Sequence, residues 1–114
     1  MADCLFCKIA MKKIPADVVY EDDKIIAFKD IQPVAPVHVL IIPKEHIASI
    51  VDIEKGHAEV TAHMMVMAKK IAQDLGVADK GFRIVNNCGE DGGQTVAHIH
   101  FHILGGRALQ WPPG

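Results

Sequence analysis

At 114 residues, half of them apolar, the chain can build one compact domain with a modest core, residues 1–114, and not two. Twelve Lys and Arg against fourteen Asp and Glu leave a net charge of −2 with no basic tail, which argues against a sequence-independent grip on a nucleic-acid backbone. The apolar run Val39 to Pro43 is far short of a membrane span, and Met1 to Ala10 lacks the basic and apolar regions of a leader, so a cytoplasmic chain that binds no membrane is expected.

Taken in order, Cys4 to Ala10 is expected to form a short helix with Asp3 as its N-cap, setting Cys4 and Cys7 at i, i+3 on one face. Val18 to Tyr20 and Ile25 to Phe28 are β-prone runs around the polar cluster Glu21-Asp22-Asp23-Lys24, which predicts a hairpin. Pro33 and Pro36 force an irregular connection, and Val37 to Ile42 is a third strand stopped by Pro43. From Glu54 to Leu75 apolar residues recur at Val60, Met64, Ala68, Ile71 and Leu75, with Gly76 as a stop, so this is the one long amphipathic helix. Its Met64, Met65 and Met67 are core or a subunit contact, and His57 and His63 are expected on its solvated side or start. Phe82 to Asn86 and Ala97 to Leu104 complete about five antiparallel strands, giving an α+β fold. A sheet edge and an apolar helix stripe in so short a chain suggest pairing across a two-fold axis, with Met64 and Met67 in the contact.

Seven histidines carry the chemistry. Period-two alternation puts His98, His100 and His102 on one face and Ile99, Phe101 and Ile103 on the other. At roughly 3.3 Å per residue, His98 and His102 would lie about 13 Å apart, which disfavours a tri-histidine metal centre. The alternative makes His100 a nucleophile or base whose tautomer its neighbours hold. Gly92, Gly93 and Thr95 lie just upstream, either as a turn or as backbone donors to a phosphate. Asp30 follows a strand, where a carboxylate can face a ligand or merely solvent. Cys4, Cys7 and Cys88 are an odd number, and in a reducing compartment Cys4-x-x-Cys7 reads as metal binding or redox chemistry. No strand precedes the pair, so the context of a thioredoxin-like motif is missing and metal binding gains. His46 and His98 are chemically suitable to complete a tetrahedral zinc.

The run His98-x-His100-x-His102, with Gly92-Gly93-Gln94-Thr95 ahead and Leu104-Gly105-Gly106-Arg107 behind, resembles the signature of the histidine triad (HIT) superfamily. Phe28-x-Asp30-Ile31, Pro36-x-His38, Ile42-Pro43-Lys44, Asn87 and the ending Trp111-Pro112-Pro113-Gly114 are similar to its Hint branch, the purine nucleoside phosphoramidases. That resemblance implies a HIT-like homodimer with its sheet continued across the subunits, and attack by His100 on the α-phosphate of a nucleoside 5′-phosphoramidate. A nucleotidyl-histidine would form, and water would release the nucleoside monophosphate. His38 would join the proton relay, His98 completes the triad, and His102 and Thr95 would contact phosphate, with Gly93, Gln94 and Asn87 beside them. Asp30 would hold the ribose hydroxyls. Leu5, Phe6, Ile9, Phe28 and Ile31 would wall the purine, although Phe28 and Ile31 taken alone are core residues by default. Trp111 would reach the partner's substrate entrance, its simpler reading being an exposed or locally packed aromatic. The family commonly has Ser where this chain has Thr95. Many bacterial members resemble it in Cys4, Cys7, His46 and His98, which together imply a structural zinc; no metal is needed for the chemistry. Two further readings fit the same motifs: a nucleotide-binding regulatory or scaffolding module, and a dinucleoside polyphosphate hydrolase, which the Trp111 to Gly114 ending disfavours.

Overall fold

The computed structural model describes residues 3–114; Met1 and Ala2, the start of the segment read for a leader, lie outside the described residues. Helix α1 spans Leu5–Ala10, strands β1 Val18–Glu21, β2 Ile25–Lys29 and β3 Val37–Pro43 follow, and helix α2 runs Ala58–Asp74 before β4 Phe82–Asn86 and β5 Phe101–Gly105. Two 3₁₀ turns, Ile50–Asp52 and Lys55–His57, lead into α2. The sheet is antiparallel throughout, in the order β1-β2-β3-β5-β4. The fold is α+β, as expected, with no helix long and apolar enough to cross a membrane among the described residues.

The β1–β2 hairpin turns where the sequence placed it, because Asp22 Oδ1 accepts from the backbone N–H groups of Lys24 (2.8 Å) and Ile25 (3.0 Å). Parity then sorts the central strands. Ile25 and Ala27 of β2, Val39 and Ile41 of β3, and Phe101 and Ile103 of β5 form one core with Met64, Ala68 and Ile71 of α2. Ile26, Phe28, Leu40 and Ile42 form a second, smaller core on the other face with Phe6 and Ile9 of α1. Helix α2 stops at Gly76, whose φ of 78° suits a residue without Cβ, while Val77 N–H returns to the Ala72 carbonyl at 3.0 Å.

Four expectations are corrected. Helix α1 begins one residue later than predicted, so its N-cap is Cys4, not Asp3: Cys4 Sγ accepts from Cys7 N–H at 3.3 Å. Strand β5 begins at Phe101, four residues after Ala97, because Ile99 N–H leaves the ladder to bond the Ile47 carbonyl at 2.6 Å. Met64, expected as core or as a subunit contact, is core and fully buried, so only its place in the contact is given up, whereas Val66 on the same helix is 57% exposed. His57 and His63 are not free surface residues: His57 Nδ1 accepts from Glu54 N–H at 3.0 Å, and His63 Nε2 lies 2.6 Å from Asp22 Oδ2, which Tyr20 also contacts.

Candidate active site

The α1 face of the sheet carries the histidines. His38 of β3 pairs across the ladder with Leu104, and His102 of β5 with Leu40. The two imidazoles are therefore diagonal neighbours on one face, close enough for long side chains to meet. Their rings are 5.1 Å apart, with His38 Nε2 2.8 Å from His102 Nδ1.

Protons on this pair follow from obligate donors. The backbone N–H of Val34 points at His38 Nδ1, 3.1 Å away, so that nitrogen accepts and the His38 proton sits on Nε2. It faces His102 Nδ1 and, at 3.3 Å, Asp30 Oδ2. His102 consequently carries its proton on Nε2, a buried atom with no hydrogen-bond partner among the described residues. Burial first, and then the neighbouring His100 and His38 rings, push the His102 pKa down to about 4. Burial also lowers His38, against a smaller opposing pull from the Asp30 carboxylate. Both rings are neutral near pH 7, and the His102 Nε2–H is left without a partner among the described residues. Asp30, His38 and His102 also lie close enough to share a cation. The His38 tautomer opposes it, because ligation through Nε2 would set an Nδ1–H against the Val34 N–H.

His100 is 4% exposed, with its ring edge-on to Phe6 (centroids 5.0 Å apart) and 5.3 Å from the His102 ring. Its Nδ1 lies 2.7 Å from the His98 carbonyl oxygen. A carbonyl only accepts, so Nδ1 holds the proton and Nε2 keeps a free lone pair. Asn86 Nδ2 donates to the His100 carbonyl at 3.0 Å, fixing the backbone on its other side.

His98 turns away from this pair. Fully buried, it brings Nδ1 to 3.3 Å from Cys4 Sγ and 3.5 Å from Cys7 Sγ, while His46 Nδ1 is 3.2 Å from Cys7 Sγ. All four donor atoms lie within 4.8 Å of one another. Tetrahedral zinc, with bonds of about 2.3 Å to sulfur and 2.0–2.1 Å to nitrogen, sets such donors about 3.5 Å apart. The tautomer agrees, because His98 Nε2 donates to the Pro43 carbonyl at 2.9 Å and leaves Nδ1 free to ligate. Burial, and then the adjoining Cys4 sulfur, push the Cys7 thiol up, so Cys7 ionises most readily against a cation. The residues fit a metal ion.

Other predicted residues are distributed unevenly. Phe28 and Ile9 are buried among Phe6, Ile26, Leu40 and Ile42, whereas Leu5 (45% exposed) and Ile31 (94%) present open apolar surface. Gln94 is a loop staple: its Nε2 donates to the Ala48 and Val96 carbonyls, and its Oε1 accepts from Gly89 N–H. Gly93 has φ of 78°, and a Cβ on Gly92 would sit 2.3 Å from the Cys88 carbonyl oxygen, so these glycines are required by the turn itself. Thr95 borders a cleft of about 640 Å³ with Cys4, Leu5, His46 and Val96. Asn87 is half-buried and Trp111 lies 81% exposed. Sequence reasoning missed Asn86 and the Val34 N–H and gave Arg107 no role beyond its place in the motif, since their contacts have no signature in spacing.

The HIT domain family matches residues 11–109. This chain belongs to the HIT family. It is 49% identical over 112 residues to an uncharacterized HIT-like protein of Synechococcus elongatus, covering 98% of this chain and 97% of that protein. A 14 kDa zinc-binding protein of Brassica juncea is 47% identical over 114 residues, 98% of this chain and all of that one (100%). Among solved structures, a HIT family hydrolase from Legionella pneumophila Philadelphia 1 superimposes with a TM-score of 0.97 at 54% identity, covering 98% of this chain and 100% of that chain. In this HIT domain the triad is thus divided, with His98 in the cysteine cluster and His100 and His102 beside His38.

Proposed function

We propose that this HIT protein hydrolyses purine nucleoside 5′-phosphoramidates to the nucleoside monophosphate and an amine. The observation that carries the reading is the His100 tautomer, with Nδ1–H on the His98 carbonyl and a free Nε2. Nε2 attacks the α-phosphorus, the P–N bond breaks, and the nitrogen leaves as amine after taking up a proton from solvent, which the hydrolytic water gives back in the second step. The imidazolium so formed keeps its Nδ1 proton against the His98 oxygen, which stabilises the cation, and water then displaces it from phosphorus. His102 Nε2–H, aligned by His38, is the donor for a phosphate oxygen. Leu5 and Ile31 supply exposed apolar surface for the purine, with Asp30 for the ribose and Thr95 at the phosphate.

Zinc is the metal that suits two cysteine sulfurs and two imidazoles, and the name of the Brassica juncea relative supports it. Held by Cys4, Cys7, His46 and His98, it would fix the chain that leads into β5 and take no part in bond cleavage. Free Cys4, Cys7 and Cys88 suit a reducing, cytoplasmic compartment. A homodimer is part of the proposal, with the edge strand β4 and the exposed Val66 face of α2 as the contact.

Turnover of a panel of adenosine and guanosine phosphoramidates, alongside a dinucleoside polyphosphate, tests the reaction. Rapid quenching should trap nucleotide covalently on histidine. Faster cleavage of the polyphosphate, or no adduct when the second step is slowed, would overturn the assignment.

A further inference from the structure

Between β2 and β3 the chain passes through residues 30–36 without joining the sheet, and Pro33 and Pro36 remove two backbone donors from it. Val34 sits in the middle and is 60% exposed, so packing does not hold it. Hydrogen bonds do. Its N–H meets His38 Nδ1 at 3.1 Å, and its carbonyl receives two bonds from Arg107, from Nε at 3.1 Å and Nη2 at 3.0 Å. Arg107 Nη1 in turn donates to the Ala108 carbonyl at 3.1 Å, which fixes the plane of the guanidinium.

Arg107 lies two residues beyond β5, the strand that carries His102. It reaches residue 34 because Gly106 lets the chain fold back against the loop. Gly106 has φ of 91°, and a Cβ there would lie 2.8 Å from Pro36 Cβ. The contacts close a ring: His102 through β5 to Arg107, to Val34, to His38, and back to His102 across a 2.8 Å bond. The Val34 N–H decides which His38 nitrogen holds the proton. Arg107 clamps the same residue from its carbonyl side.

We propose that Arg107 is a positioning residue that holds Val34 so that His38 stays in its Nε2–H tautomer and aligns His102. The proposal deepens the phosphoramidase reading and rests on it for its bearing on turnover. A merely local staple would affect melting temperature and leave imidazole tautomers alone. Arg107 is exposed, and its hydrogen bonds go to the Val34 and Ala108 carbonyls rather than to a triad imidazole.

Long-range ¹H–¹⁵N spectra of ¹⁵N-histidine-labelled protein read the His38 tautomer directly and need no substrate. Wild type should show one tautomer with Nε2 protonated. Arg107→Ala should give a mixture, with kcat lowered about tenfold and KM within about twofold, as for a group that aligns the machinery without binding substrate. Arg107→Lys, which keeps the charge but supplies no paired donors, should recover part of both signals. Gly106→Ala should move the tautomer in the same direction as Arg107→Ala. If Arg107→Ala does not fold, the Arg107→Lys spectrum carries the test. A single unchanged His38 tautomer in the folded variants overturns the proposal, whatever happens to rate. A wild type that cleaves no phosphoramidate would instead sink the function while the spectra still decide the positioning role.

Discussion

The carbonyl oxygen of His98 accepts the Nδ1–H of His100 at 2.7 Å, while the His98 ring points its free Nδ1 at two cysteine sulfurs. One residue thus belongs to the metal-fitting cluster through its side chain and to the nucleophile through its backbone. Because the Pro43 carbonyl fixes the His98 ring, the orientation of His100 is tied to the core end of β3.

Replacing His100 with Asn or Gly removes the attacking lone pair and leaves His38, His102 and the pocket in place. Turnover of a phosphoramidate should fall by about a thousandfold or more, with nucleotide affinity changed less than about threefold. Titration calorimetry with the nucleoside monophosphate, beside steady-state assays, checks both parts. Retained turnover would remove His100 as the nucleophile.

Untagged protein should contain about one zinc per chain. Chelation should lower the melting temperature, and Cys7→Ser should abolish metal retention, with a smaller loss of rate than in the His100 variants. Elemental analysis and thermal melts are the measurements. Protein purified without chelators yet free of metal would leave Cys7 as a buried thiol and Cys4 as a half-buried one.

Stability should decline in acid. His102, held at about 4 by burial and neighbouring imidazoles, takes up its proton more readily unfolded, where its value is near 6.5. His38 is lowered in the same direction by burial. Stability is therefore full above pH 6.5 and is lost as pH falls toward 4. Urea midpoints should hold steady between about pH 7 and 8 and drop below 6.5, and His102→Gln should drop less steeply. Metal release is common to wild type and variant, so the difference between the curves isolates the imidazole. Parallel curves would show that His102 is not held neutral by the fold.

Light scattering should give a dimer. Ile84, 38% exposed on edge strand β4, is a sensitive position: Ile84→Lys should shift the population toward monomer by placing an ammonium at the seam. Deleting Trp111 to Gly114 should change preference among amine leaving groups while a small substrate is still cleaved. A wild-type monomer, or an unchanged leaving-group profile in the truncated dimer, would count against this assembly.

Elements whose residues alternate or recur regularly were legible in the sequence. The hairpin, β3 and β4 lie where composition and periodicity place them, and α2 does so from Ala58 onward, the expected first turn after Glu54 being the separate 3₁₀ turn Lys55–His57. Failure came where a side chain outcompeted the local pattern: Ala97 to His100 alternate like a strand, yet His98 is drawn into the cysteine cluster and Ile99 bonds to Ile47. Similarly, the four potential metal ligands could be named from their chemistry, but the orientation of each ring depends on carbonyls such as that of Pro43, which leave no trace in residue type. The resemblance puts Gln94 beside the phosphate, while the Ala48 and Val96 carbonyls that its amide engages leave no trace in residue type. Arg107 was part of a recognised motif whose physical purpose needs the path of Gly106 beside Pro36.

The parity of β3 and β5 has a consequence for how errors are punished. Val39 and Ile103 face α2, and their immediate neighbours His38 and His102 face the site. A one-residue slip in either ladder would drive an imidazole among Met64 and Ile71 and expel a branched aliphatic in exchange. No misregistered form can keep a sound interior while presenting a damaged relay. Quality control that senses exposed aliphatic surface therefore also screens for chemical competence, and a chain that survives it arrives with its imidazoles already aligned.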